Sequence, residues 1–317
     1  VNTHKATSFA VVTNLVLQVL IIITGGAVRL TDSGLGCSTW PMCEPGSFTP
    51  VRHEAFSIHP YIEFGNRVVS AVVVLAALVV FLLVWRQRHS RSRGFVALAA
   101  APLIGVLAQA GIGGITVLSE LHPAIVGSHF LFSAALVWVS TWLWIRWHDG
   151  DGPVNHFLTP PIPALAVALG VLGGLTVTLG MIVTGTGPHS GDTDMGYRFA
   201  LDPIWATRAH AVAMWVFVTA LVIYALVVNS RARSDHRYRP AARGSLLVIT
   251  IVALQGGLGY WQYFTGLPEG VVLAHLSGAA LFILSLTYAL LQLRPRTSLA
   301  SQASSPGAGI EGSVHRA

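Results

Sequence analysis

Three histidines fall inside apolar runs of this sequence: His129, His210 and His275. An ionisable ring is costly in such surroundings, so each is a candidate site residue by default. His129 and His275 stand in a repeated passage. Gln109, Gly111, Gly113, Leu121, His129 and Ala134 recur at one constant offset as Gln255, Gly257, Gly259, Leu267, His275 and Ala280. A histidine placed twice at the same depth of a duplicated helix pair suggests a ligand for something large and apolar. His210 and His275 fall on separate helices, as the two axial ligands of one haem iron should. Zinc fits less well: no carboxylate or cysteine joins the set within the apolar runs, and two imidazoles alone make a poor zinc site. The plain alternative for any one of them is a hydrogen bond to a neighbouring helix; three at matched depth argue against it.

The elements that must position these rings are membrane spans. The chain of 317 residues is 53% hydrophobic and 10% charged, with a mean hydropathy of +0.64. A soluble chain of this length carries roughly a quarter charged residues. The fold class expected is an all-α integral membrane protein of eight transmembrane helices, arranged as two tandem pseudo-symmetric four-helix bundles. The spans are expected at about 8–28, 64–85, 94–117, 124–147, 160–184, 206–228, 243–265 and 270–293. The first is too long for a signal-peptide core and is read as a retained span. The sequence pI near 9.8 does not indicate nucleic acid, because the arginines cluster in short loops: Arg86, Arg88, Arg91 and Arg93 after the second span, Arg231, Arg233, Arg237, Arg239 and Arg243 after the sixth. That bias places both termini and the even-numbered loops in the cytoplasm of a cell-membrane protein, with the bilayer as its first partner. The expected division is residues 1–150 and 151–296 as the two four-helix halves, with 297–317 a disordered cytoplasmic tail. More loosely, Ile23-Thr24-Gly25 recurs as Val183-Thr184-Gly185.

The two halves differ at one place. The second-span position corresponding to His210 falls at Asn66. Glu63 and Asn66 share a helical face; the carboxylate reads equally well as a helix-start residue favoured by the dipole or as a group facing the cavity of His129. Arg67 and Arg208 flank these positions and read either as propionate partners or as cations snorkelling to water. His59, His122 and His189 lie in or near the outer loops. Cys37 and Cys43 share the first outer loop, where an oxidising compartment permits a disulfide. Their spacing is not the CxxC of a thiol metal or redox pair, which favours the disulfide.

These features together resemble the haem A synthase family. The resemblance rests on Gly25-Gly26-Ala27-Val28-Arg29-Leu30-Thr31-Asp32-Ser33-Gly34-Leu35-Gly36-Cys37, on Trp40-Pro41-Met42-Cys43, on the Glu63 segment, on Val183-Thr184-Gly185-Thr186-Gly187-Pro188-His189-Ser190-Gly191-Asp192, and on the three membrane histidines. It covers the chain except its tail. It implies oxidation of a ring methyl of haem O to a formyl group, giving haem A for cytochrome oxidase. It further implies that His210 and His275 hold a haem b cofactor, that His129 binds the iron of the substrate haem, that Glu63 is the functional carboxylate, and that Cys37 and Cys43 form the family's outer-loop disulfide. Haem O synthase is the implied membrane partner, and the electron acceptor is unidentified. Asn66 departs from the family, in which a fourth histidine usually stands. Three arrangements then stand open: His129 alone, weak ligation by Asn66, or recruitment of His59 or His122. A non-catalytic haem carrier or exporter, and a b-type electron-transfer cytochrome, are the rival readings.

Overall fold

The computed structural model describes residues 3–52, 57–154, 157–194 and 196–294. The expected tail, 297–317, lies outside the described residues. Eight long helices follow in order: α1 (Thr3–Leu30), α2 (His59–Arg86), α3 (Arg93–Leu118), α4 (Pro123–Asp149), α5 (Ile162–Thr186), α6 (Pro203–Ser234), α7 (Arg239–Phe264) and α8 (Glu269–Leu291). Each is long and apolar enough to cross a membrane. The chain is an all-α, multi-pass membrane protein, as its composition predicts. Three helices run well past the expected spans, α1 by beginning at Thr3. α2 begins at His59, because Pro60 occupies its first turn, where a missing N–H costs nothing. α6 continues to Ser234 through arginines too polar for a hydropathy window.

The helix starts are chemically specified. Asp202 caps α6, its Oδ1 accepting from the N–H of Ile204 at 2.7 Å and of Trp205 at 3.0 Å, with Pro203 next in line. Ser92 caps α3, its Oγ accepting from Phe95 N–H at 3.1 Å. Once in place, α1 packs on α2 and α4, and α3 on the same two, closing a ring of four. Helices α5 to α8 close a second ring in the same order, and α8 meets α1 and α4 between them. Large apolar side chains such as Phe9, Leu75, Ile104, Val167, Leu226 and Leu254 stay exposed on the outside, which is where lipid solvates them.

The tightest packing is at one end. Val11, Val80, Val84, Phe95, Leu143 and Trp147 form a buried cluster in the first ring. Phe217, Tyr224, Val228, Val248, Phe282 and Leu286 anchor the corresponding one in the second. Both lie toward the helix ends that carry the arginine-rich loops, which leaves the opposite ends of the rings free to hold something else. The arginine-rich end is locked by polar contacts as well. The Asp151 carboxylate accepts from the backbone N–H and hydroxyl of Ser92 and pairs with Arg146. Its side chain is 1% exposed. Removing one partner of a buried pair strands the charges around it. Asp151→Ala is therefore expected to destabilise the protein by about 3–5 kcal/mol, seen as a lower thermal midpoint of the detergent-solubilised protein; Asp151→Glu should recover part of the loss.

Candidate functional site

The three membrane histidines stand at closely matched depths. His210 is the eighth residue of α6 (Pro203–Ser234), while His129 and His275 are the seventh of α4 (Pro123–Asp149) and α8 (Glu269–Leu291). That is about 10 Å of helix rise, nearly two turns, from each helix start. Each ring lies against a glycine of the neighbouring helix. A Cβ on Gly113 would come within 3.3 Å of His129 Cε1, one on Gly180 within 3.1 Å of His210 Cε1, and one on Gly259 within 3.4 Å of His275 Cε1. Any side chain at these places would crowd the imidazole.

In the second ring two of these rings converge. His210 and His275, on the diagonal helices α6 and α8, are close enough for the charge of one to act on the other. His210 Nδ1 is 3.1 Å from the carbonyl of Thr176. A carbonyl only accepts, so Nδ1 carries the hydrogen and Nε2 keeps the lone pair that a metal needs. The Nδ1 atom of His129 is buried without a hydrogen-bond partner, while the His275 ring has the backbone of Gln255 beside it. Among the described residues no group of three or more His, Cys, Asp or Glu side chains converges to hold a metal ion. Two imidazoles with free Nε2 atoms, in an apolar bundle, fit an iron whose other ligands come from its own macrocycle; they do not make a protein-only site.

Two glutamines repeat around the histidines. Gln109 Nε2 donates to the His129 carbonyl at 3.0 Å, and Gln255 Nε2 to the His275 carbonyl at 2.9 Å. Each ties α3 to α4, or α7 to α8, at the histidine itself. The recurrence of these glutamines is visible in the sequence; that they hold the backbone of the histidine residue is not.

The outer end of the first ring is covered by a fastened loop. Cys37 and Cys43 form a disulfide, with an S–S distance of 2.07 Å. Glu63, in α2, is buried beneath it: one carboxylate oxygen accepts the Cys37 N–H at 2.7 Å, and the other accepts from Arg67 Nε at 3.1 Å and Nη2 at 2.6 Å. Arg67 then reaches the loop carbonyls of Thr39, Pro41 and Met42 at 3.0, 3.5 and 3.1 Å. These bonds occupy all five guanidinium donors. Trp40 completes the cover by lying on Gly114 of α3. Glu63 is thus both the carboxylate nearest the first ring's outer end and the floor of the disulfide loop.

The remaining candidates are placed as follows. Arg208 precedes His210 by two residues, about 200° around the helix. It is exposed in an open groove with Leu172, Leu175, Leu179 and Trp205, and its guanidinium has no partner among the described residues. His59 Nδ1 is 2.9 Å from Ser33 Oγ. His122 is the cap residue of α4, its ring 6.2 Å from that of Tyr197. His189 Nε2 is 3.0 Å from the Leu267 carbonyl, and its own carbonyl accepts from Arg29 Nε at 2.7 Å. Arg29 also donates to Thr184 O at 2.6 Å. None of the three loop histidines stands at the depth of His129. Sequence reasoning passed over Arg29 as a functional group; its place in the Val-Arg-Leu-Thr run was the available signal.

The profile of a family described as cytochrome oxidase assembly protein matches residues 8–286. A protein of Exiguobacterium named heme A synthase is 28% identical over 81% of this chain and 83% of its own length. Proteins of the same name from Lysinibacillus sphaericus and Shewanella oneidensis are 28% and 25% identical, over 81% and 86% of this chain and 85% and 92% of their own.

The Glu63–Arg67 fastening has a measurable consequence. Arg67→Ala leaves a buried carboxylate without its cation, a loss of about 3 kcal/mol, or roughly a hundredfold in local opening. Amide hydrogen exchange at Thr39–Cys43 is expected to speed by up to that factor. Arg67→Lys, which keeps the charge but loses the fork, should fall between. Unchanged exchange would show that the loop is held by other contacts.

Proposed function

The chain belongs to the family of cytochrome oxidase assembly proteins, and on that premise we propose that it is a haem A synthase, a membrane oxidoreductase that converts haem O to haem A. The reaction takes a ring methyl of haem O to a formyl group. One observation carries the assignment of roles within the chain. The second ring has two converging imidazoles, His210 and His275, whereas in the first ring only His129 stands at that depth. A permanent cofactor needs both ligands to stay; a substrate must leave as product, and a single protein ligand favours that.

On this reading residues 151–296 form the cofactor half, with haem b held by His210 and His275, and residues 1–150 form the substrate half, with His129 on the iron of haem O. When bound, the resident haem supplies one-electron redox chemistry. The chain's residues do the rest. Glu63, fixed by Arg67 and the Cys37 N–H, presents a carboxylate over the first ring, where it can stabilise positive charge developing at the oxidised carbon or take up a released proton. The disulfide loop and Trp40 keep water from that end. Arg67 spends its donors on Glu63 and the loop carbonyls, and Arg208 lies about 200° around α6 from His210, so neither takes a propionate on this reading. The arginine-rich loops support a cell-membrane orientation with both termini cytoplasmic, which puts the two sites toward the outer face. Haem O synthase in the same membrane is the natural supplier of substrate, and the electrons pass to an external acceptor.

The test is chemical. The chain is co-expressed with a source of haem O, and extracted pigments are separated and weighed. Haem A or its hydroxylated precursor is the expected product. If the protein is loaded and redox-competent yet yields only haem B and haem O, the synthase reading fails and a carrier or electron-transfer role replaces it. Substituting His210 or His275 by Ala should cost bound haem b, whereas Glu63→Ala should cost turnover while haem b remains.

A further inference from the structure

The first ring has a carboxamide, Asn66, where the second has an imidazole, His210. Asn66 is the eighth residue of α2 (His59–Arg86), as His210 is the eighth of α6 (Pro203–Ser234), and both helices begin with a proline in the first turn. His129 and Asn66 thus stand on diagonal helices, at the depths of His275 and His210. In the second ring the His210 imidazole covers Gly180, six residues before the end of α5 (Ile162–Thr186). In the first ring Gly25, five residues before the end of α1 (Thr3–Leu30), has nothing within 4 Å of where a Cβ would stand. Counted from the helix ends, Gly180 is matched by Thr24, with Gly25 one residue further on, and not by the register in which the loose sequence repeat pairs Gly25 with Gly185. A carboxamide is shorter than an imidazole, and the side chain that α1 brings to it is the Thr24 hydroxyl.

The orientation of that carboxamide is set. Thr24 Oγ1 is 2.8 Å from Asn66 Oδ1, against 3.3 Å from the Ile21 carbonyl. The shorter contact takes the hydroxyl hydrogen, so Oδ1 is an engaged acceptor and Nδ2 keeps its two N–H donors for another partner. An amide nitrogen has no lone pair for iron, and the amide oxygen, a weak donor to iron, already accepts from Thr24 with one of its two lone pairs. Of the histidines that could stand in, His59 begins α2, about 10 Å of rise further out, and is bonded to Ser33. His122 precedes α4 and is as far from the depth of His129.

We propose that the iron face opposite His129 is a binding site for a small diatomic ligand, with the Asn66 carboxamide as its hydrogen-bond donor and Thr24 as the residue that orients Asn66. The proposal rests on the reading that His129 holds the substrate haem. It differs from a merely weakened clamp: the missing imidazole leaves that face without a protein ligand and places beside it an amide whose oxygen is engaged by Thr24 and whose N–H donors are not. Asn66 is here a ligand-positioning residue.

The test uses the full chain carrying its resident haem and haem O, reduced, with carbon monoxide as the probe. One carbon monoxide is expected for every two haems, since a bis-imidazole iron has no free position. His129→Ala should abolish it. Asn66→His should turn the second haem low-spin and remove carbon monoxide binding. Asn66→Leu should keep the binding but raise the C–O stretching frequency, because a hydrogen-bond donor beside the bound oxygen lowers it, and Thr24→Val should move it the same way. The resident haem spectrum reports that each variant is folded. A wild-type substrate haem with two imidazole ligands and no carbon monoxide, or an Asn66→His protein that binds it as before, overturns the proposal. An unchanged frequency in Asn66→Leu overturns the donor role. If His129→Ala alters neither haem content nor carbon monoxide uptake, it is the substrate-site reading that fails.

Discussion

A flat, polar ring can be held inside a helical bundle only where the facing helix gives up its side chain. Gly113, Gly180 and Gly259 do so for His129, His210 and His275. A methyl group at Gly113 or Gly180 would press on the ring, and anything larger at any of the three would compete with it for space. This requirement dictates much else. The helices must hold register to within a fraction of a turn, and in a bilayer no hydrophobic force between helices does that. Gln109 and Gln255 supply it by bonding the carbonyl of the histidine residue itself. The buried clusters toward the arginine-rich end supply the remaining rigidity.

The two rings then diverge through small changes. A histidine becomes Asn66, its neighbour Thr24 turns the amide, and Glu63 enters one helical turn further out beneath a disulfide loop that binds it with a backbone N–H. The second ring keeps its two imidazoles and has no such cover described over it.

Much of this could be read from residue order. Eight spans were visible because composition alone separates lipid-facing helix from loop, and the matched histidines because Gln109–Ala134 and Gln255–Ala280 repeat. Boundaries were less legible: α2 starts at Pro60's turn and α6 runs out through arginines, and neither is an apolar signal. The same-face relation of Glu63 and Asn66 follows from spacing. That both oxygens of Glu63 and every donor of Arg67 are committed does not, since it depends on how residues 37–43 fold back over α2. The partnership of Thr24 with Asn66 was equally hidden, because it joins helices rather than neighbours in sequence. Arg208 shows the limit in another way: two residues from a ligand in sequence is the far side of the helix in space.

Arg29 belongs to the last turn of α1, yet the atoms it holds are the carbonyls of Thr184 and His189. Beside it Gly34 N–H bonds the Gly191 carbonyl at 2.7 Å, and His189 bonds Leu267 ahead of α8. The rims of the two halves are therefore tied together, so that opening one would have to break bonds to the other. A bulky macrocycle moving in or out of the first ring would strain the rim of the second, or must instead slip sideways between helices into the lipid, past a closed roof. Traffic of substrate and product through this protein is thus a problem of lateral passage, and the membrane is its corridor.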